Sequence, residues 1–371
     1  MANVLVTGGA GFIGSHLVDA LLAAGHRVRV LDALVPQVHA SGAPAHLDPE
    51  AELIVGRVED RAVLDRALDG IEVLYHEAAE VGVGQSMYEV ERYVGANTYG
   101  TSVLLQAVID RRDQIRKLVV ASSMSIYGEG AYRCAVHGAI HPVGRPVAQL
   151  TERSWELRCP VCAEALQPAP TDEAKPLFPT SVYAVTKQDQ EQLCLIVGRA
   201  YDIPTVALRY FNVYGTRQSL SNPYTGVCAI FSGRLLNRER PLVFEDGHQT
   251  RDFLHVSDVV QANLLALETD RADYLPVNIG TGRATSVLDA ARVLAVGLGM
   301  DIEPEIVARF REGDIRHCVA DISRARQLLG YEPKMTLEDG VPELLEWVRG
   351  QQAVDRVGQA TTELEARNLV R

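Results

Sequence analysis

Seven consecutive residues, Gly8-Gly9-Ala10-Gly11-Phe12-Ile13-Gly14, constrain this chain more than any others. They follow Val4 to Thr7, an apolar run that reads as a strand. They lead into Phe12 to Ala24, which reads as a helix with Leu17, Val18, Leu21 and Leu22 on one face and Gly25 as its stop. Glycines at 8, 11 and 14 let a backbone turn tightly, approach a pyrophosphate and pack a helix onto a sheet. The helix N-terminus then offers unpaired N–H groups and a positive dipole end to phosphates. Arg27 to Leu31 reads as the next strand and Asp32 closes it, 18 residues after Gly14. A carboxylate there accepts both hydroxyl hydrogen bonds of an adenosine ribose and repels a 2′-phosphate. Gly8, Gly11, Gly14 and Asp32 therefore predict a dinucleotide site that prefers NAD to NADP.

The pattern continues as strand and helix in alternation. Short apolar runs at Leu53–Val55, Val73–Tyr75 and Leu118–Ala121 are separated by helical segments, which implies a parallel sheet covered on both faces. Residues 130–178 break the rhythm with several prolines, three cysteines and two histidines. A helix from Val182 towards Ala200 and a strand Thr205–Tyr210 resume it. The predicted fold is α/β: a Rossmann-type doubly wound parallel sheet with a smaller C-terminal substrate-binding domain and a zinc-binding insert. The dinucleotide-binding domain is expected at 1–129 and again at 179–210, with the insert at 130–178. The substrate domain is expected mainly at 211–350, with some chain returning to the Rossmann sheet, and a polar tail, helical or frayed, at 351–371.

A chain of 371 residues with 47% hydrophobic content can bury a large core. A formal net charge of −12 and no basic cluster argue against a nucleic-acid partner. No apolar run is long enough to span a bilayer, and the start shows no signal-peptide pattern, so a cytoplasmic location without membrane contact is expected.

Tyr183-Ala184-Val185-Thr186-Lys187 sets a phenol and an ammonium four residues apart on one helix face. A nearby cation favours the phenolate, so Tyr183 is expected to act as general base when an alcohol is oxidised and as acid when a ketone is reduced. Ser122 and Ser123 follow the strand at 118–121, and a hydroxyl at a strand's carboxyl end faces the crevice where open α/β sheets bind ligands.

These motifs resemble those of the extended short-chain dehydrogenases that act on nucleotide-sugars, such as the UDP-galactose and dTDP-L-rhamnose 4-epimerases. The resemblance covers nearly the whole chain. It includes the glycine turn, His76-Glu77-Ala78-Ala79, Asn97 to Thr101, the Ser-Tyr-Lys set, Arg209 to Gly215, Arg251 to Asp258, Asn278 to Gly282 and Arg311 to Asp314. It implies that Ser123 orients a sugar hydroxyl, that Tyr183 exchanges its proton, and that Lys187 holds the nicotinamide ribose. It implies further that Phe12, Ile13, Val58, Ala78, Ala79 and Phe211 line the cofactor. Asn212, Arg251 and Arg311 would grip the substrate diphosphate and Asp314 would touch the nucleotide ribose, which suits the charge of such a ligand. Asn97 and Asp258 are expected to be structural anchors, His76 a packed strand-end residue, and Trp155 and Trp347 packing residues. Arg57 departs from the pattern, since relatives often carry an acid there beside the adenine. A homodimer through the helices near 90–112 and 182–200 is implied by the resemblance alone.

The residues after Ser123 discriminate among chemistries. Dehydratase relatives carry Asp-Glu there, an acid and a carboxylate for removing water across C5 and C6, and decarboxylating relatives carry a Glu at the second position. Here Met124 and Ser125 do neither job. What remains is hydride and proton exchange at one carbon. A 4-epimerase fits best, with C4 oxidised, the keto sugar turned about its diphosphate tether, and the hydride returned to the other face. A 4-ketoreductase would need exchangeable cofactor, usually NADPH, which Asp32 disfavours. A catalytically silent dinucleotide sensor on the same fold is the third alternative.

Cys134 and His137, then Cys159 and Cys162, form two ligand pairs with 21 residues between them. Two-residue gaps let both side chains of a pair reach one tetrahedral ion, and thiolates with an imidazole suit zinc. Four protein ligands would close the site, so the expected zinc is structural. His141 competes with His137 as the fourth ligand. The insert resembles that of the dTDP-L-rhamnose 4-epimerase group and is expected to form a flap beside the substrate mouth.

Overall fold

The computed structural model describes residues 1–39 and 42–371. In chain order its strands begin with β1 (Asn3–Thr7), β2 (Arg27–Asp32), β3 (Glu52–Val55), β4 (Val73–His76) and β5 (Lys117–Ser123). The insert adds β6 (Ala131–Cys134), β7 (Gly138–Ile140) and β8 (Gln167–Ala169), and β9 (Thr205–Tyr210) follows. The main sheet runs β3-β2-β1-β4-β5-β9 and ends with Leu275–Ile279, all parallel. Its central strands are apolar almost throughout because helices cover both faces. Val4, Val6, Val28 and Val30 pack on one side with Leu17, Leu21, Leu254 and Val259. Leu5, Leu74, Leu118 and Val120 pack on the other with Leu64, Leu104 and Leu195.

Strand order reverses between β1 and β4, so a crevice opens at their carboxyl ends. The glycine turn and the Ala78–Ala79 segment meet there. Gly8 has φ +72°, and a Cβ on it would stand 2.8 Å from the Ala78 backbone. A Cβ on Gly14 would lie 2.2 Å from the Gly8 carbonyl oxygen, so the first helix, α1 (Phe12–Ala23), sits against the turn only with glycine at that position.

A separate core gathers Phe231, Leu235, Leu294, Val341 and Leu344 from the helices Val227–Leu236, Val287–Gly297 and Leu337–Arg349, together with Tyr214. Short strands link it to the main sheet: Asn212–Tyr214 pairs with Phe253–His255, and Thr250–Arg251 pairs with His317–Cys318. Residues 130–178, which lack periodicity, form the antiparallel sheet β7-β6-β8 and one short helix, Val147–Thr151. Their own core is small: Tyr132, Cys134, Leu157, Cys159 and Leu166. The polar tail is ordered as a helix, Val357–Glu365. The final residues pair with 310–312, where Phe310 and Arg371 exchange two main-chain hydrogen bonds. Among the described residues no helix is long and apolar enough to cross a membrane.

Candidate active site

Of the cofactor residues named from the sequence, Gly8, Gly11 and Gly14 follow β1, Asp32 ends β2, and Ala78 and Ala79 follow β4. Helix α1 has Gly11 at its N-cap, no capping side chain and no acidic residue in its first turn, so its N–H groups stay available to an anion. The Asp32 carboxylate, almost fully buried, accepts the Ala10 N–H on one oxygen and the Leu34 N–H on the other, at 3.0 and 2.9 Å. Each oxygen keeps a lone pair for a ribose hydroxyl. Phe12 and Ile13 open α1, and Val58 is buried ahead of α2 (Arg61–Ala67). Arg57 is exposed and pairs with Glu59 at 3.2 Å. Phe211 is buried behind β9. The glycine turn, the free helix end and the carboxylate suit a dinucleotide.

Ser123 ends β5, and Tyr183 lies in the first turn of the helix Val182–Ala200, which Ser181 caps by accepting the Ala184 N–H. Burial pushes the Tyr183 phenol above its ordinary value, and a hydrogen bond with Ser123 works against that. Lys187 donates to the Ala121 carbonyl oxygen and, at 2.8 Å, to Gln190 Oε1. Burial brings its ammonium down to about 8, against the opposing charge of Glu77. The protein's own groups thus hold Tyr183 as a phenol; the lowered value expected beside Lys187 also counts on the positive nicotinamide of an oxidised cofactor. Desolvation is the reason, because it penalises a phenolate by more than the serine hydrogen bond offsets.

The bonds of several supporting residues escape sequence reasoning. Gln190 bridges Lys187, Thr101 and His76, while His76 also bonds Thr7 at 2.8 Å. Asn97 ties the Glu80 backbone to Thr186, one residue before Lys187. Behind Ser122, Glu191 accepts its hydroxyl at 2.6 Å and a two-pronged ion pair from Arg209. Arg209 also donates to Tyr127, which donates to Asn278. His76, Asn97, Thr101, Ser122, Arg209 and Asn278 lie in motifs that stand out in the sequence, whereas Gln190 and Glu191 left no signal there.

The residues expected at the substrate diphosphate lie on adjacent segments. Asn212 has its buried Oδ1 without a partner among the described residues. Arg311 is exposed, stacks over Phe244 at 4.6 Å and donates to Asp314 at 2.9 Å. Arg251 is buried and turned inward, donating to the carbonyl oxygens of Ile315 and Arg316 and to Asp314 at 3.4 Å. Burial alone would raise the Asp314 carboxyl, but the Arg311 and Arg251 charges overcome it and hold the group below the usual carboxylate range.

In the insert, Cys134, His137, Cys159 and Cys162 bring one ligand atom each within 4.8 Å of all the others, whereas His141 stands outside this group. The Cys134 and Cys162 sulfurs are 3.6 Å apart, and His137 Nδ1 lies 3.6 Å from Cys134 and 3.5 Å from Cys159. The amides of His137 and Val136 point at the Cys134 sulfur and bring that thiol down to about 6. Those of Cys162 and Val161 do the same for Cys159, which is also lowered.

Comparison with known proteins agrees with this geometry. Residues 4–143 match the NAD dependent epimerase/dehydratase family, and residues 165–344 match the GDP-mannose 4,6 dehydratase family. The dTDP-L-rhamnose 4-epimerase of Burkholderia thailandensis is 38% identical over 95% of this chain and 96% of its own. Among solved structures, the UDP-glucose 4-epimerase of Thermotoga maritima with UDP-glucose superposes with a TM-score of 0.77 at 34% identity, covering 94% of this chain and 99% of that one. The UDP-glucuronic acid 4-epimerase of Bacillus cereus, in complex with UDP-glucuronic acid and NAD, gives a TM-score of 0.77 at 28% identity, covering 94% and 99%. With its crevice, glycine turn and Ser-Tyr-Lys set, the chain belongs to the NAD-dependent epimerase/dehydratase family of extended short-chain dehydrogenases and groups with its nucleotide-sugar 4-epimerases.

Proposed function

We propose that the protein inverts C4 of a dTDP- or UDP-hexose, with a dTDP-6-deoxyhexose such as dTDP-L-rhamnose as the favoured substrate. The observation that carries this is the end of β5. Met124 is buried and the Ser125 hydroxyl is turned back onto Ser123 at 2.9 Å, so neither residue supplies the acid that a dehydration or decarboxylation needs. The 38% identical rhamnose 4-epimerase supports the choice of sugar. Bound NAD in its oxidised form supplies the hydride acceptor at C4 and a positive charge beside the phenol. Tyr183 removes the C4 hydroxyl proton and later returns it, Ser123 orients that oxygen, and Lys187 holds the nicotinamide ribose. Gly8, Gly11, Gly14, Phe12, Ile13, Asp32, Val58, Ala78, Ala79 and Phe211 surround the dinucleotide. Asn212, Arg311 and Arg251 hold the nucleotide diphosphate, and Asp314, set by both arginines, accepts from the nucleotide ribose.

Chromatography of the protein with a panel of dTDP- and UDP-sugars tests this. The expected result is a C4 isomer formed without added cofactor. Consumption of NADPH with a 4-keto sugar, and no isomerisation, would replace the proposal with a ketoreductase.

The insert holds one structural zinc on Cys134, His137, Cys159 and Cys162. Bonds of about 2.3 Å to sulfur and 2.0–2.1 Å to nitrogen imply tetrahedral edges of ~3.8 Å between sulfurs and ~3.6 Å between sulfur and nitrogen. The separations of 3.5 and 3.6 Å support this, as does an insert core too small to hold the loops alone. Metal analysis is expected to find about one zinc per chain. A metal-free, fully folded protein would remove it.

The chain pairs with a second copy through the helices near 90–112 and 182–200. Exposed Val94, Tyr99, Val185 and Ile196 support this, the last two lying on one face of their helix. Light scattering at a monomer mass would refute it.

A further inference from the structure

The insert and the substrate clamp share one buried charge cluster that the proposed reaction does not use. Arg145 belongs to the insert, and its side chain is only 2% exposed. It donates a two-pronged pair to Glu245, both bonds 2.8 Å, and its Nε lies 3.4 Å from Glu129. Its remaining bonds reach two main-chain oxygens at 3.2 Å: Trp155 within the insert and Asp314 in the clamp. Arg316, 1% exposed, completes the cluster by donating to Glu245, Asp246 and the insert's Glu156. The Arg316 amide donates to Glu129.

Asp314 is therefore held at both ends. Its carboxylate is set by Arg311 and Arg251, and its carbonyl by Arg145. Moving Arg145 leaves Glu245 with Arg316 as its one remaining guanidinium among the described residues and Glu129 with neutral donors, the Arg316 amide and the Tyr132 hydroxyl, a cost that keeps such a guanidinium in one place. Arg145 in turn lies on the stretch that joins β7 to the helix Val147–Thr151, between the two ligand pairs of the cysteine–histidine quartet. Through Arg145 the chain between those two pairs is tied to the main chain of the clamp.

We infer that Arg145 is a positioning residue for substrate binding, through which the insert sets the geometry of the nucleotide clamp at Arg311 and Asp314. It touches neither the sugar nor the cofactor. Its influence falls on affinity for the nucleotide and leaves the proton exchange at Tyr183 intact. The inference rests on the proposed role of Arg311 and Asp314.

The test compares Arg145→Lys and Arg145→Gln with Arg311→Ala in the full-length protein. It measures binding of dTDP and UDP by calorimetry, the kinetics of isomerisation, and NAD content. Arg145→Gln is expected to raise KM and the nucleoside diphosphate Kd about tenfold, with kcat changed less than about twofold and NAD content unchanged. Arg145→Lys, which keeps the charge, recovers part of the loss and serves if the glutamine variant folds poorly. Stripping metal from the wild type with a chelator is expected to weaken the nucleotide in the same direction, and to add little in Arg145→Gln, since the two act along one path. If Arg311→Ala weakens the nucleotide while both Arg145 variants bind it as the wild type does, the inference is wrong and the clamp stands. If Arg311→Ala has no effect, the clamp falls and this inference with it.

Discussion

The ammonium of Lys187 donates to the main-chain oxygen of Ala121, two residues before Ser123 on the same strand. Lys187 lies one helical turn after Tyr183, so this single bond sets the register between the two hydroxyl groups on which catalysis depends. Lys187→Met removes it and leaves Gln190 Oε1 and the Ala121 carbonyl short of a donor. The expected result is a loss of about 1–3 kcal/mol in stability and a fall in kcat of at least about a hundredfold. Denaturant melts and initial rates measure the two separately.

Tyr183→Phe removes the proton carrier and little else, because among the described residues the phenol's hydrogen bond is to Ser123 alone. A fall in kcat of about 10²–10⁴-fold is expected, with bound NAD and melting temperature close to wild type. Turnover that survives this change would disprove Tyr183 as the base.

Burial pushes the Glu77 carboxyl up to about 7, against a hydrogen bond from Tyr210 and the Lys187 charge. The folded state then holds that proton more tightly than the unfolded chain does. The stabilisation is complete below the unfolded value near 4.5 and disappears as pH rises through 7. Glu77→Gln mimics the protonated group and still accepts from Tyr210. Its melting temperature relative to wild type is therefore expected to rise between pH 5 and pH 8. A pH-independent difference would show that Glu77 is ionised throughout.

Arg209 and Glu191 form a buried pair, 3% and 0% exposed, that also serves Ser122 and Tyr127. Arg209→Met strands the carboxylate and is expected to cost about 3–5 kcal/mol. Replacing both partners with apolar residues of matching size should recover most of this, as a double-mutant cycle in urea would reveal.

Asp32→Ser keeps every glycine of the turn and removes the carboxylate, which is also the acceptor of the Ala10 N–H. Dissociation of NAD is expected to strengthen in rate and equilibrium, with Kd raised about tenfold and discrimination against NADP reduced. Titration of cofactor-free protein with each dinucleotide measures both.

Legibility in the sequence tracks distance along the chain. The helix Val182–Ala200 and the strand Thr205–Tyr210 occupy the spans that their periodicity predicts, and the glycine turn stands between β1 and α1. Residues 130–178 have no dominant period because their small sheet and cysteine turns bury too few side chains to impose one. The tail was ambiguous for a related reason: its order comes from distant partners, with Glu363 accepting from Tyr88 and Tyr224.

The sequence by itself determined the dinucleotide turn, the acid at Asp32, the Tyr183–Lys187 spacing and the Cys159–Cys162 pair with Cys134 as its partner. Apart from Cys134, each is set by groups a few residues apart, or by a strand and helix in direct succession, where backbone geometry alone fixes what can meet. Tertiary structure decided the inward turn of Arg251, the bond of Lys187 to Ala121, the place of His137 rather than His141 beside the cysteines, and the meeting of Arg145 with Glu245, 100 positions away. The outcomes for the arginines and the lysine depend on which buried charges lose their water together, and that is settled only when the sheet, the insert and the C-terminal segment pack.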